Sequence, residues 1–99
     1  MVAYHLKISK AARLDLKDIF QYSQRQWGDN KADQYLDSIK EQMVLITCNS
    51  DMGINRPELQ TGMHSLVIQS HIVFYTVDLL HINIIRVLHH RQDPKRRLK

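Results

Sequence analysis

The sequence predicts an α+β fold in the order β-α-α-β-β-β, with an antiparallel sheet and a helical hairpin packed on one face. Three observations predict it. Two adjacent segments carry apolar side chains at steps of three and four, parted by Gly28-Asp29-Asn30. A short alternating segment precedes them. Three β-branched and aromatic runs with short connections follow them, the pattern of an antiparallel meander.

The elements can be justified in order. Val2 to Ile8 alternates, with Tyr4, Leu6 and Ile8 on one face and Ala3, His5 and Lys7 on the other, the period of a half-buried strand. Ser9 stands where a helix cap belongs. Ala12, Leu16, Ile19, Phe20 and Trp27 then form an apolar stripe on a helix over about 10–26. Gly28-Asp29-Asn30 ends that helix and offers Asp29 or Asn30 as the next cap. Ala32, Tyr35, Leu36, Ile39, Met43 and Ile46 define the second helix, with Asp33 and Asp37 toward its positive end. Two helices joined by three residues make an αα-hairpin.

Asn49 to Gly62 has no period and reads as a long loop. Met63–Gln69, His71–Val77 and Ile82–Leu88 read as strands. Strict alternation puts Val73, Tyr75, Val77, Ile85 and Val87 on one face. It puts Ile72, Phe74, Ile82, Ile84 and Leu88 on the other. Two helices do not readily cover both faces of a small sheet, so an exposed apolar surface suited to a partner is expected.

Residues 1–99 make one domain, with a core of modest size. One cysteine, Cys48, excludes an intrachain disulfide framework and suits a reducing, cytoplasmic setting. No apolar run has the length of a signal peptide or a membrane span. The charge is uneven. Residues 86–99 hold six of the fourteen Lys/Arg and one of the ten acidic residues, leaving eight against nine in the body. This basic C-terminal segment starts inside an apolar strand and points to an anionic partner.

Catalytic chemistry is not evident. There is no zinc-protease motif, cysteine pair or phosphate-cradling glycine loop. Cys48 reads as a small buried thiol. His89 and His90 are adjacent, so on a strand they face opposite ways and do not share a metal. His64 and His71 could meet across a hairpin, without a third ligand. The expectation is therefore no catalytic residue, no metal and no cofactor. One of His89 or His90, beside Arg86 and Arg91, could serve as a general acid in RNA cleavage, the enzyme alternative.

Several motifs resemble the ParE branch of the RelE/ParE superfamily of type II toxin–antitoxin toxins. They are SKAARLDLKDIFQYS after the first strand, Gln26-Trp27-Gly28, and Ala32 with Tyr35-Leu36. Gly53, Arg56-Pro57-Glu58-Leu59, Gly62, His71-Ile72-Val73-Phe74-Tyr75 and Ile84 to Asp93 complete the set. The resemblance runs nearly end to end. It implies a toxin that inhibits DNA gyrase and is neutralised by a ParD-like antitoxin in a hetero-oligomer, meeting operator DNA only through that antitoxin. No membrane partner is implied.

The sister RelE branch, a ribosome-dependent mRNA endonuclease, uses basic residues on the second and third sheet strands. The corresponding positions here resemble His64, Leu66 and Ile72, and no lysine lies between Lys40 and Lys95. That favours a gyrase inhibitor over a nuclease. Gln69 stands where the family often has glycine, and a side chain there costs strain if the turn needs positive φ. Arg86, His89, His90, Arg91, Lys95, Arg96 and Arg97 are the expected target contacts. Arg86 has a second reading, as a structural residue bonded to a carboxylate such as Glu58. Leu14, Tyr22, Trp27 and Tyr35 are the expected antitoxin contacts.

Overall fold

A computed structural model describes residues 3–98. Strand β1 spans His5–Ile8, helix α1 Lys10–Trp27 and helix α2 Asp29–Cys48. Then come β2 Ile54–Asn55, β3 His64–Ile68, β4 His71–Val77, β5 His81–His89 and a short helix α3, Pro94–Arg97. Val2, the expected start of the first strand, lies outside the described residues.

Ser9 begins α1 as the sequence predicts. Its Oγ accepts from the Ala12 N–H at 3.0 Å and donates to the Ile85 carbonyl at 2.8 Å. Such a cap contributes about 1 kcal/mol, and here it also ties the helix start to β5. Gly28 alone joins the helices, at φ 86°. The expected three-residue connection is shorter because glycine absorbs the whole change of direction in one left-handed step. Asp29 is thereby the first residue of α2, where its charge suits the helix dipole.

The sheet order is β1-β5-β4-β3-β2. The β3-β4-β5 meander is antiparallel, as expected. However, β1 pairs with β5 in parallel, His5 opposite His81 and Ile8 opposite Ile84, so the sheet is mixed. The connection between them runs through the helical hairpin and strands β2 to β4, long enough for parallel pairing. Residues 49–62 are not wholly loop, since Ile54 and Asn55 pair with Ser65 and His64. Tyr75 anchors this segment from the buried core. Its hydroxyl accepts from the Gly53 N–H and donates to the Ser50 carbonyl, both at 2.8 Å. A Cβ on Gly53 would stand 2.8 Å from the Ser65 carbonyl oxygen, so the approach needs glycine.

Ala12, Leu16 and Ile19 of α1 and Ile39, Met43 and Ile46 of α2 bury against Ile68, Val73, Tyr75, Ile82, Ile84 and Val87. Each large side chain buried there contributes about 1.5–3 kcal/mol. The faces differ from strict alternation. Phe74 pairs with Arg86 but Tyr75 with Ile84, so Ile85 is an extra, bulged residue. The bulge sends Ile82 and Ile84 to the helical side and Ile85 to the other.

That other face is covered at its centre and leaves the expected exposed apolar surface only at its β2–β3 edge. Met63, Phe74 and Leu88 are buried there, with Leu59, Ile72, Ile85 and Leu98 packed around them. The loop after α2 and the C-terminal segment supply the cover that two helices cannot. Ile54 and Val67, paired with Ser65 and Ile72 on this face, stay 67% and 66% exposed, and further exposed apolar side chains are Leu14, Tyr22 and Trp27 toward α1, Val44 and Leu45 on α2, and Leu79 and Leu80 in the β4–β5 turn. Cys48, expected to be buried, is exposed at the last residue of α2. Gln69 has φ 54°, so the β3–β4 turn does use the left-handed conformation.

Candidate functional site

A cleft of about 460 Å³ opens where the helical hairpin meets the β3–β4 turn and the end of β5. Asp18, Tyr22 and Trp27 come from the α1 side, Tyr35 from α2, Ser70 and His71 from the turn and β4, and His89 and Arg91 from the chain leaving β5. Antiparallel pairing sets His71 directly opposite His89. Trp27, Tyr35, His71, His89 and His90 then form a continuous run of rings. Successive centroids are 6.3, 5.5, 5.3 and 4.4 Å apart.

The polar floor is neutral at pH 7. Tyr35 Oη and His71 Nδ1 share a 2.6 Å hydrogen bond. Burial pushes the His71 imidazole down to about 4, reinforced by the imidazoles of His89 and His90 and opposed by Asp15. Burial also raises the Tyr35 phenol. His89 is lowered by burial, then by His90 and Arg91, and its Nδ1 accepts from the Arg91 N–H at 3.2 Å. The rim is aromatic, with Tyr22 and Trp27 more than half exposed. Such a cleft suits an apolar or aromatic side chain, with Arg91 and Asp18 as charged handles. Among the described residues, no group of three His, Cys, Asp or Glu is arranged to hold a metal ion.

The cleft brings together residues expected in separate roles. Tyr22, Trp27 and Tyr35, read as antitoxin contacts, share it with His89 and Arg91, read as target contacts. Leu14 is exposed two helical turns earlier on α1, outside it. His90 is stacked beside His89 rather than facing away, because β5 ends at His89 and the chain turns there. His64 and His71 do not meet. They lie at opposite ends of the hairpin, facing Tyr75 and Ile68.

Arg86 takes its structural reading, though not through Glu58, which pairs with Arg56 at 2.7 Å. The Arg86 Nε and Nη2 donate to the Asp15 carboxylate at 2.7 and 2.8 Å, and the Val87 N–H donates to the same carboxylate at 3.0 Å. This charge-assisted fork raises the guanidinium pKa further. The third nitrogen, Nη1, donates to the Arg97 carbonyl at 2.8 Å. Lys95, Arg96 and Arg97 therefore sit on a pinned helical turn beyond the cleft. Sequence reasoning missed Asp15 and weighed His71 only as a partner for His64. A charge inside an apolar strand signals the need for a partner, and the hairpin register signals the His71–His89 pair.

The architecture is that of the small α+β toxins found in bacterial toxin–antitoxin pairs. A chain of the chromosomal ParDE system from P. aeruginosa has the same fold, with a TM-score of 0.77 at 24% identity over 88% of this chain and 96% of that one. The RelBE2 toxin–antitoxin complex of Mycobacterium tuberculosis contains a chain at TM-score 0.66 and 19% identity, covering 93% of this chain and 97% of that one. The YoeB dimer of Staphylococcus aureus gives 0.61 at 22%, over 90% and 99%.

The chain belongs to the ParE toxin family of type II toxin–antitoxin systems, parDE, whose family profile matches residues 6–94. Toxin ParE1 of Caulobacter vibrioides is 33% identical over 92 residues, 93% of this chain and 95% of that protein. Toxin ParE1 of Mycobacterium tuberculosis H37Rv is 33% identical over 92 residues, 92% of this chain and 94% of that protein. No helix among the described residues is long and apolar enough to cross a membrane.

Proposed function

We propose that this toxin acts in the cytoplasm by occupying a surface of DNA gyrase, without catalysing a reaction, and that a ParD-like antitoxin neutralises it. The antitoxin would order a segment over the aromatic cleft and would link the complex to operator DNA through its own DNA-binding end. The observation carrying this reading is the chemistry at the strand positions where a nuclease of the superfamily needs cations. His64 is stacked on Tyr75 at 5.1 Å, Leu66 packs on the helical core, and Ile72 packs on the second apolar cluster. None can hold a phosphate with a permanent charge. The test is purified toxin with gyrase and relaxed or supercoiled plasmid. Supercoiling is expected to fail, with cleaved DNA trapped, at stoichiometric toxin. Unimpaired supercoiling without trapped cleavage would remove the proposal.

A second reading, ribosome-dependent mRNA cleavage, is favoured by one observation: three imidazoles, His71, His89 and His90, gather beside Arg91. Cutting of message on translating ribosomes, abolished by His89→Ala or His90→Ala, would establish it. Intact message under excess toxin would dismiss it.

A further inference from the structure

The cations at the C-terminal end are not a loose tail. Asp93 caps α3 by accepting from the Lys95 N–H at 3.0 Å. The Arg97 carbonyl is held by Arg86, which is itself clamped to α1 through Asp15. Leu98 packs against the cluster around Phe74 and Leu88. Three anchors thus fix one turn that carries Lys95, Arg96 and Arg97, with Arg91 four residues before it.

These four side chains make no close ion pair with the described residues, although Lys95 lies near enough to Glu58 to help lower its carboxyl. Ion pairs among the described residues use Arg56, His81 and Arg86 as cations, and none uses Arg91, Lys95, Arg96 or Arg97. All four are exposed. The turn that carries Lys95, Arg96 and Arg97 lacks the other ingredient of a protein interface. Among the described residues, no large apolar side chain between positions 86 and 98 is substantially exposed. Protein partners dock through a buried apolar or aromatic centre, which this molecule offers at Tyr22 and Trp27 instead. Charge without apolar surface is what a phosphate backbone requires, because its binding is driven by counterion release.

We propose that Lys95, Arg96 and Arg97, with Arg91 at the border shared with the aromatic cleft, form a preordered contact for the phosphate backbone of duplex DNA. The contact is sequence-independent, since α3 is a single four-residue turn rather than a recognition helix or two-stranded ribbon. It concerns toxin and duplex alone and stands apart from the gyrase reading. Where gyrase holds DNA, it would let one toxin touch enzyme and nucleic acid together.

The experiment is fluorescence anisotropy of a labelled duplex titrated with purified full-length toxin at several salt concentrations. Four phosphate contacts give a slope of log K against log salt of about −3.6, so affinity falls about 150-fold between 50 and 200 mM salt. The triple variant Lys95→Gln, Arg96→Gln, Arg97→Gln should flatten the slope to about −1, and Arg91→Gln alone should flatten it by about one unit. A body variant with the same charge loss, Lys7→Gln, Lys17→Gln, Lys40→Gln, should leave the slope unchanged. Circular dichroism checks that each variant is folded. Equal losses in the body and C-terminal variants would reduce the effect to net charge and overturn the proposal. So would an unaltered slope in the C-terminal triple variant. Displacement of the duplex by polyglutamate at equal charge concentration would assign the patch to an acidic protein surface and overturn it as well.

Discussion

Replacing Asp15 with alanine should be among the costliest single changes to this fold. One carboxylate accepts from Arg86 Nε, Arg86 Nη2 and the Val87 N–H, so it joins α1 to β5 through three bonds. The side chains of Arg86 and Asp15 are 21% and 13% exposed. Breaking a fully buried pair costs about 3–5 kcal/mol, whereas exposed pairs contribute about 0–1 kcal/mol. The residual exposure places this one at about 2–3 kcal/mol. In a domain of this size that lowers Tm by about 12 °C. The assay is urea denaturation of Asp15→Ala, Arg86→Met and the double variant. The cycle should give a coupling energy of about 2 kcal/mol, with the double variant recovering part of the loss because no charge is left unpaired. A coupling below about 0.5 kcal/mol would refute the reasoning, since that is the value of a solvated surface pair. Arg86→Met should also release the Arg97 carbonyl and speed tryptic cleavage at Lys95 and Arg96.

Three further outcomes are expected. His71 is held near 4 in the folded chain against about 6.5 unfolded, so the unfolded state binds more protons between these values. Its contribution is present above about pH 6.5 and is lost as pH falls toward 4. After discounting for its partial exposure this is about 1–2 kcal/mol, and urea midpoints of His71→Phe should show a flatter pH profile across that window. Gln69→Gly should stabilise the fold by about 0.5–1 kcal/mol by relieving the φ of 54°, read as a rise in the urea midpoint with unchanged m-value. Trp27 is the sole tryptophan, so its emission should shift on adding cognate antitoxin. Trp27→Ala should weaken that binding about 30-fold, and a loss under about threefold would exclude the indole as an anchor.

Both helices, the Ser9 cap and the three-strand meander were legible because each rests on near-neighbour chemistry: a hydroxyl three residues from an amide, or apolar side chains at a fixed step. The direction of β1 was not legible, since alternation reveals a strand without its neighbour. The bulge was hidden by Ile84-Ile85, where apolar residues on both sides erase the period. The cover over the second sheet face was missed because Leu59 and Leu98 look like isolated loop leucines. For the site, the aromatic residues of the hairpin and the histidines of β5 were each visible. Their meeting in one cleft depends on the helices crossing over the His71–His89 end of the sheet. Asp15 and Arg86, separated by 71 positions, carry no local sign of each other.

The parallel pairing of His5 with His81 has a consequence for how the molecule comes into being. Strand β1 cannot complete this pairing until β5 has been made. Until β5 is synthesised, Ser9 lacks its bond to Ile85 and Asp15 lacks Arg86. Closing so long a loop carries an entropic cost that these contacts between α1 and β5 help offset.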